Sequence, residues 1–214
     1  MQTTYNDIRK AVIRSQHCQR NWNLDKTIPE EDIDLLIHAV TKCPSKQNMS
    51  FYKVHFITDR NVIENIHSNT DGFTINYVTG DSKTNSQTLA NLLLVFEATN
   101  PLSTAEVRNE ETYNAVAGKL SQEDIDNLNK DTNVAVGIAA GYANLTASML
   151  GLSTGCCSCF NPEPIKELIG ANNKLMLLMG IGYKDETRHR REHHSETEFT
   201  FPTIKKQEIE INRI

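Results

Sequence analysis

Four polar stretches carry the residues whose types and spacing could do chemistry. QHCQRNW (16–22) offers His17, Cys18 and Arg20, and CPSKQNMS (43–50) offers Ser45, Lys46, Gln47 and Asn48 behind Pro44. A third, 154–160, holds Cys156, Cys157 and Cys159 around Ser158, and DETRHRREHH (185–194) sets Arg188, Arg190 and Arg191 among His189, His193 and His194. Guanidinium groups just after a buried strand suit a phosphate, which their planar fork grips at two points. The competing account of such a run is a solvated tail. The cysteines stand at C-C-x-C spacing without the second pair that structural zinc needs, so no metal site is expected and small thiols packed under a helix end are. His17, Arg20 and the polar residues of 45–48 flank helix ends, where caps and turn residues also occur. No G-x-G-x-x-G, P-loop or G-x-S-x-G is present, which leaves dinucleotide-fold, P-loop and α/β-hydrolase chemistry without support.

Composition narrows the class. A net charge of −5 over 214 residues argues against a general nucleic-acid binder. No basic-then-apolar leader opens the chain, and five cysteines, an odd count, do not suggest a disulfide framework. The expectation is one cytoplasmic domain spanning 1–214, long enough to bury a full core.

The elements that must position those stretches are organised around the tract 133–160. From Val134 to Leu150 it has no charged side chain, and Gly137, Ala140, Gly141, Asn144, Ala147 and Ser148 recur at helical spacing. This predicts a central helix buried on both faces, either the axis of the domain or part of a subunit interface. Its Gly and Ala content and the polar Asn144, Thr146 and Ser148 do not suit a membrane span. Further helices are predicted over 4–15, over 28–40 and over 60–68. The second has Thr27 and Glu30 at capping-box spacing, Pro29 in its first turn and an end before Pro44; the third is capped by Asp59. Strands are predicted at 51–58, 92–98 and 174–183, the second central because its apolar run is continuous. Residues 69–88 read as loop with a short strand, and 101–130 as a polar surface excursion in which Ser121 and Asp124 have capping spacing. The tail FTFPTIKKQEIEINRI is too poor in apolar residues for a core of its own and is expected to lie on another surface, such as a second subunit's. Together these make an α+β domain.

In their order and spacing, these pieces resemble the FMN-dependent nitroreductase family over nearly the whole chain. The matching segments are QHCQRNW (16–22), IPEEDIDLLIHAV (28–40), PSKQN (44–48), FYKVHFI (51–57), ASMLGL (147–152), FNPEPIKELIG (160–170) and LMGIGY (178–183). The resemblance implies a central mixed sheet flanked by helices, and a homodimer with an FMN in each of two interfacial seams. On matching positions, Gln16, His17, Cys18 and Arg20 would face the flavin's phosphate, ribityl chain or ring edge. Pro44, Ser45, Lys46 and Asn48 would reach it from the other subunit. The backbone at Ser158 and Cys159 would lie near the reactive ring nitrogen, and Lys83 or Asn85 near the pyrimidine edge. Arg188 and Arg190, or Arg191 if the register slips, would clamp the phosphate. The 101–130 excursion, with Tyr113, would be a substrate lid, and 184–214 a cationic loop followed by an extension onto the partner.

The implied activity is ping-pong transfer of hydride from NAD(P)H through FMN to a nitroaromatic, quinone or similar planar small-molecule acceptor, with no protein nucleophile and no membrane or nucleic-acid partner. Three residues depart from the family pattern: Gln16 and Cys18 stand where arginine and serine are usual, and Cys159 where glycine is. Gln16 and Cys159 point to the alternative of a flavin-binding protein of the same fold with little or no turnover. Flavin-fragmenting and dehalogenating enzymes share the fold, and a metal-holding structural dimer is the remaining rival.

Overall fold

The run Leu92–Ala98 is buried at six of its seven positions, as a strand covered on both faces must be. The sheet is built around it. The computed structural model describes residues 4–76, 78–99, 121–202 and 205–213. In chain order its elements are α1 (Tyr5–Ser15), α2 (Glu30–Thr41), β1 (Tyr52–Ile57), α3 (Arg60–Ser68), β2 (Phe73–Thr74), β3 (Ser82–Lys83), β4 (Leu92–Ala98), α4 (Gln122–Met149), β5 (Ser153–Cys157), α5 (Pro162–Ile169) and β6 (Leu175–Gly182). The main sheet runs β1-β4-β6-β5, and β2 with β3 forms the short hairpin expected in 69–88. Every pairing in the main sheet is antiparallel, which corrects the mixed sheet implied by the resemblance. Strand direction depends on where each crossover lands, and apolar runs do not encode it.

Period-two alternation along β4 divides the core. Leu92, Leu94 and Phe96 pack with Leu36 and Val40 of α2 and with Ala139, Ala143 and Ala147 of α4. Leu93 and Val95 face the other way, onto Ile63 and Ile66 of α3 and Ile165 of α5. Burying such residues is worth about 1.5–3 kcal/mol each, so this double layer fixes the sheet between its helices.

Helix α4 starts twelve residues before the uncharged stretch, at a capping box in which Ser121 and Asp124 bond each other's backbone. Residues 122–130, read as surface excursion, are therefore its opening turns. Nor does a single chain enclose the helix. Ala135, Val136, Ala139, Ala143 and Ala147 are buried, but Val134, Gly137, Gly141, Tyr142 and Met149 face outward. The face of α1 beside it is also open, with Ile8, Val12 and Ile13 exposed and Ala11 buried.

The capping expectations divide. Asp59 caps α3, its Oδ1 accepting from the amides of Asn61 and Val62 at 2.8 and 3.1 Å. Thr27 and Glu30 form no capping box, because Pro29 is the N-cap and Glu30 already the first helical residue, two positions early for the motif. Residues 153–157, expected as loop, form the edge strand β5. Cys156 and Cys159 are exposed and only Cys157 of the three is buried, so the thiols do not pack together under a helix end. Glycine lets the polar loops lie flat here: a Cβ on Gly155 would come 2.6 Å from the carbonyl oxygen of Gln19, and one on Gly180 would strike that of Gln87.

Candidate functional site

The amide of Gln19 donates to the carbonyl of Thr154 at 2.8 Å, which seats loop 16–20 beside β5. Between this loop, the end of α1 and residues 184–190 lies a cleft of about 740 Å³, lined by Gln16, His17, Ser153, Arg188 and Arg190 among others. His17 sits below the usual imidazole pKa, through desolvation first and then the charges of Arg190 and Lys206. Arg190 and Lys206 thus converge on His17, whose imidazole they bias toward its neutral form, and among the described residues neither cation has a carboxylate partner. Lys206 lies in the tail, where a lysine among other charges gave no signal.

Arg188, expected on a phosphate, turns inward. Its Nη1 and Nη2 donate to the carbonyls of His194 and His193 at 2.8 and 2.7 Å, and its Nε to Glu192 at 3.2 Å. It closes the turn that follows the last strand. His193 is fully buried, so the cationic run is not simply a solvated tail. Arg191 accepts the amide of Phe201 on its carbonyl at 2.8 Å. Of the remaining cations at the cleft, Arg14 donates to the Ser148 carbonyl at 2.8 Å and caps the end of α4, and Lys184 pairs with Glu186 at 3.0 Å.

Arg20 faces a different neighbour. Its guanidinium carbon lies 4.7 Å from the ring centre of Phe201. Its Nε is buried without a hydrogen-bond partner, and burial, opposed by Cys18, lowers its pKa. Lys83 pairs with Glu196. The Asn85 side-chain oxygen accepts the Gln87 amide at 3.1 Å and so caps a short 3-10 turn. Burial pushes the thiol of Cys157 up to about 11, so it is not a thiolate at neutral pH. Ser158 is exposed at the end of β5, and the Cys159 carbonyl accepts the Asp71 amide at 2.9 Å. Cys159 does not have positive φ, so a β-carbon at this usual glycine position imposes no backbone strain.

Loop 43–50 stands at the other end of the chain's long helix. Gln47 and Asn48 take φ of 54° and 56°, a left-handed pair that costs non-glycine residues roughly 1–3 kcal/mol each. The Ser45 hydroxyl donates to the Met49 carbonyl at 2.8 Å, Pro44 is exposed, and Lys46 pairs with Asp131 of α4 at 2.6 Å. Ser45 and Asn48 line a groove of about 520 Å³ along β1. Asp131, which anchors loop 43–50, and Ser148, which anchors the end of α1 just before loop 16–20, are seventeen residues apart on α4 (148 − 131), or about 25 Å along its axis. One chain therefore gathers Gln16, His17, Arg188 and Arg190 at one cleft, and holds Pro44, Ser45, Lys46 and Asn48 well away from it. Tyr113 lies outside the described residues. Among those residues no His, Cys, Asp or Glu group could hold a metal ion, and no helix is long and apolar enough to cross a membrane.

This α+β arrangement is the nitroreductase-like fold. The Nitroreductase family model matches residues 13–183, and the chain belongs to that family. Its structure is similar to a candidate NAD(P)H:FMN oxidoreductase from Staphylococcus epidermidis, at 22% identity and TM-score 0.63 over 88% of this chain and 92% of that one. It is also similar to a candidate nitroreductase in complex with FMN from Exiguobacterium sibiricum, at 14% identity and TM-score 0.63 over 97% and 95%. An FMN-dependent nitroreductase from Clostridium difficile matches at 17% identity and TM-score 0.54, over 83% and 88%. Among curated proteins none matches.

Proposed function

We propose that this nitroreductase-family protein is an FMN-dependent oxidoreductase that takes electrons from NAD(P)H and reduces nitroaromatic, quinone or similar planar acceptors, working as a homodimer with a flavin in each of two seams. The observation that carries this is the separation of the two candidate half-sites along α4. Two copies paired through their open α4 faces in opposite directions would bring loop 16–20 of one chain to loop 43–50 of the other. The outward Val134, Tyr142 and Met149, with Ile8, Val12 and Ile13 of α1, supply the apolar surface for such pairing. Ile209 and Ile211 in the tail are 81% and 78% exposed, which supports an extension onto the partner.

The residues present fit the cofactor. Arg190 and Lys206 can neutralise a phosphate dianion beside the neutral donor His17, and Arg20, with a buried donor unsatisfied, can face the flavin's oxygens. Bound FMN would supply hydride transfer in ping-pong order. The protein's part would be to hold and orient: cations for the phosphate, Arg20 against negative charge on the ring, the backbone at Ser158 and Cys159 for the ring's polar edge, and Ser45 and Asn48 of the partner subunit to close the seam. No side chain acts as nucleophile.

A silent flavin binder of the same fold is favoured by one observation. Gln16 carries no charge, and Arg14 is committed to the Ser148 carbonyl, so the phosphate lacks one cation. The test is an absorbance spectrum with light scattering, followed by anaerobic NADH or NADPH. A yellow dimer that bleaches supports the oxidoreductase, and a yellow dimer that does not supports the silent binder. A colourless monomer that takes up no FMN overturns both.

A further inference from the structure

The ring that carries Arg20 belongs to a built aromatic row. Phe201 is 4% exposed. It stacks on His193 with centroids 5.8 Å apart and planes 16° apart, and meets Phe199 edge-on at 5.0 Å. Phe199 in turn contacts Phe73 on the β2–β3 hairpin at 6.1 Å. The backbone fixes this row: the Phe201 amide donates to Arg191, the His193 amide to Phe199, and Glu192 bridges Thr200. His193 is pinned by the carbonyl of Thr84, 3.1 Å from its Nε2. Arg20 makes no hydrogen bond or ion pair to another side chain among the described residues, and of its nitrogens only Nε is sealed from water without a partner. The Phe201 ring is thus the contact that holds the guanidinium, through an attraction worth about 0.5–2 kcal/mol.

We propose that Phe201 is a positioning residue for the flavin site: its ring fixes the Arg20 guanidinium in advance, so that the cation meets the flavin without first losing its rotamer freedom. This rests on the flavin-binding function proposed above. Nothing in the motif QHCQRNW reveals it, because the supporting ring comes from residue 201, at the far end of the chain.

The test uses the full chain, stripped of flavin and titrated with FMN. In the ¹⁵N spectrum of the flavin-free wild type, the Arg20 Nε–H resonance is expected upfield of the other arginines by ring current and slow to exchange. In Phe201→Leu the shift disappears, the FMN dissociation constant rises about tenfold, and the midpoint potential of the bound flavin becomes more negative as the cation drifts from the reduced ring. Phe201→Tyr, which keeps the ring, restores all three. A folded Phe201→Leu with wild-type affinity and potential overturns the proposal and leaves the flavin assignment standing. Should Phe201→Leu fail to fold, a wild-type Arg20 resonance without ring-current shift overturns it as well. Failure of the wild type to bind FMN removes both.

Discussion

The Nε2 of His55 lies 2.7 Å from Oε2 of Glu97 across the β1–β4 pair, and the Glu97 side chain has no exposure to solvent. Lys53 shares that oxygen at 3.0 Å, while Oε1 accepts from the amides of Asn172 and Asn173 and from the Asn173 side chain at 3.0–3.1 Å. A buried carboxylate is tolerable only when its acceptor sites are filled in this way.

Glu97 makes one stability prediction. Burial raises its pKa, but hydrogen bonds from His55 and Lys53, and then the two amides, outweigh burial and hold it at about 2 against an ordinary 4.5. A depressed carboxylate pKa contributes stability that is complete above the unfolded value and disappears as pH falls through the folded one. Glu97→Gln is therefore expected to cost on the order of 3 kcal/mol at pH 7. In urea titrations the difference from wild type should narrow between pH 4.5 and 2; a constant difference across that window would contradict the assignment.

His67 acts in a higher window. Burial, then the charges of His193, Arg60 and His194, lowers its pKa to about 4 from 6.5. The fold holds it neutral, so its contribution is complete above pH 6.5 and is lost as pH falls toward 4. Replacing His67 with Phe should reduce the pH dependence of the urea midpoint between 6.5 and 4, the remainder coming from His193 and His194, whose pKa burial also lowers, while leaving the Glu97 slope below it. A variant that keeps the full upper slope would assign it to those groups alone.

The two arginines should separate function from folding. Arg20→Ala is expected to weaken FMN retention by one to two orders of magnitude, as loss of a charged hydrogen-bond donor does, with little change in melting temperature. Arg188→Ala strands the His193 and His194 carbonyls and should cost about 2 kcal/mol in stability. Melting curves and FMN titrations read both, and a reversed pattern would refute the inward role of Arg188.

Gly137 and Gly180 make a similar pair. An added Cβ at Gly137 meets nothing within 4 Å in a single chain, whereas one at Gly180 strikes the Gln87 carbonyl. Gly180→Ala should be destabilised by roughly 1–3 kcal/mol or more. Gly137→Ala should favour the isolated helix by up to about 1 kcal/mol yet weaken the proposed dimer, visible by light scattering over a dilution series. Dimers of undiminished strength would remove Gly137 from the interface.

What the sequence revealed follows from where the signal lies. The strands β1, β4 and β6 and the helix capped by Asp59 were legible because apolar period and cap chemistry are local. Strand β5 was not, since STGCC is short, lacks alternation and is held by its neighbours β6 and Gln19. The first turns of α4 were hidden by polar residues that a helix tolerates on an open face. At the candidate site the residue types were legible but their direction was not: Arg188 and Arg190 are two positions apart, and only the turn through His193 and His194 sends one inward. Phe201 and Lys206 come from the tail, outside every stretch whose residue types suggested chemistry.

The salt bridge at Asp131 and the capped carbonyl at Ser148 make α4 a gauge. A rod of fixed pitch sets the interval between loop 43–50 and the end of α1 that leads into loop 16–20, and in the proposed twofold pair the same interval would govern both candidate sites at once. Adding or deleting a single helical turn between those anchors would throw the two candidate sites of such a pair out of alignment together, so the proposed assembly holds this span to its length.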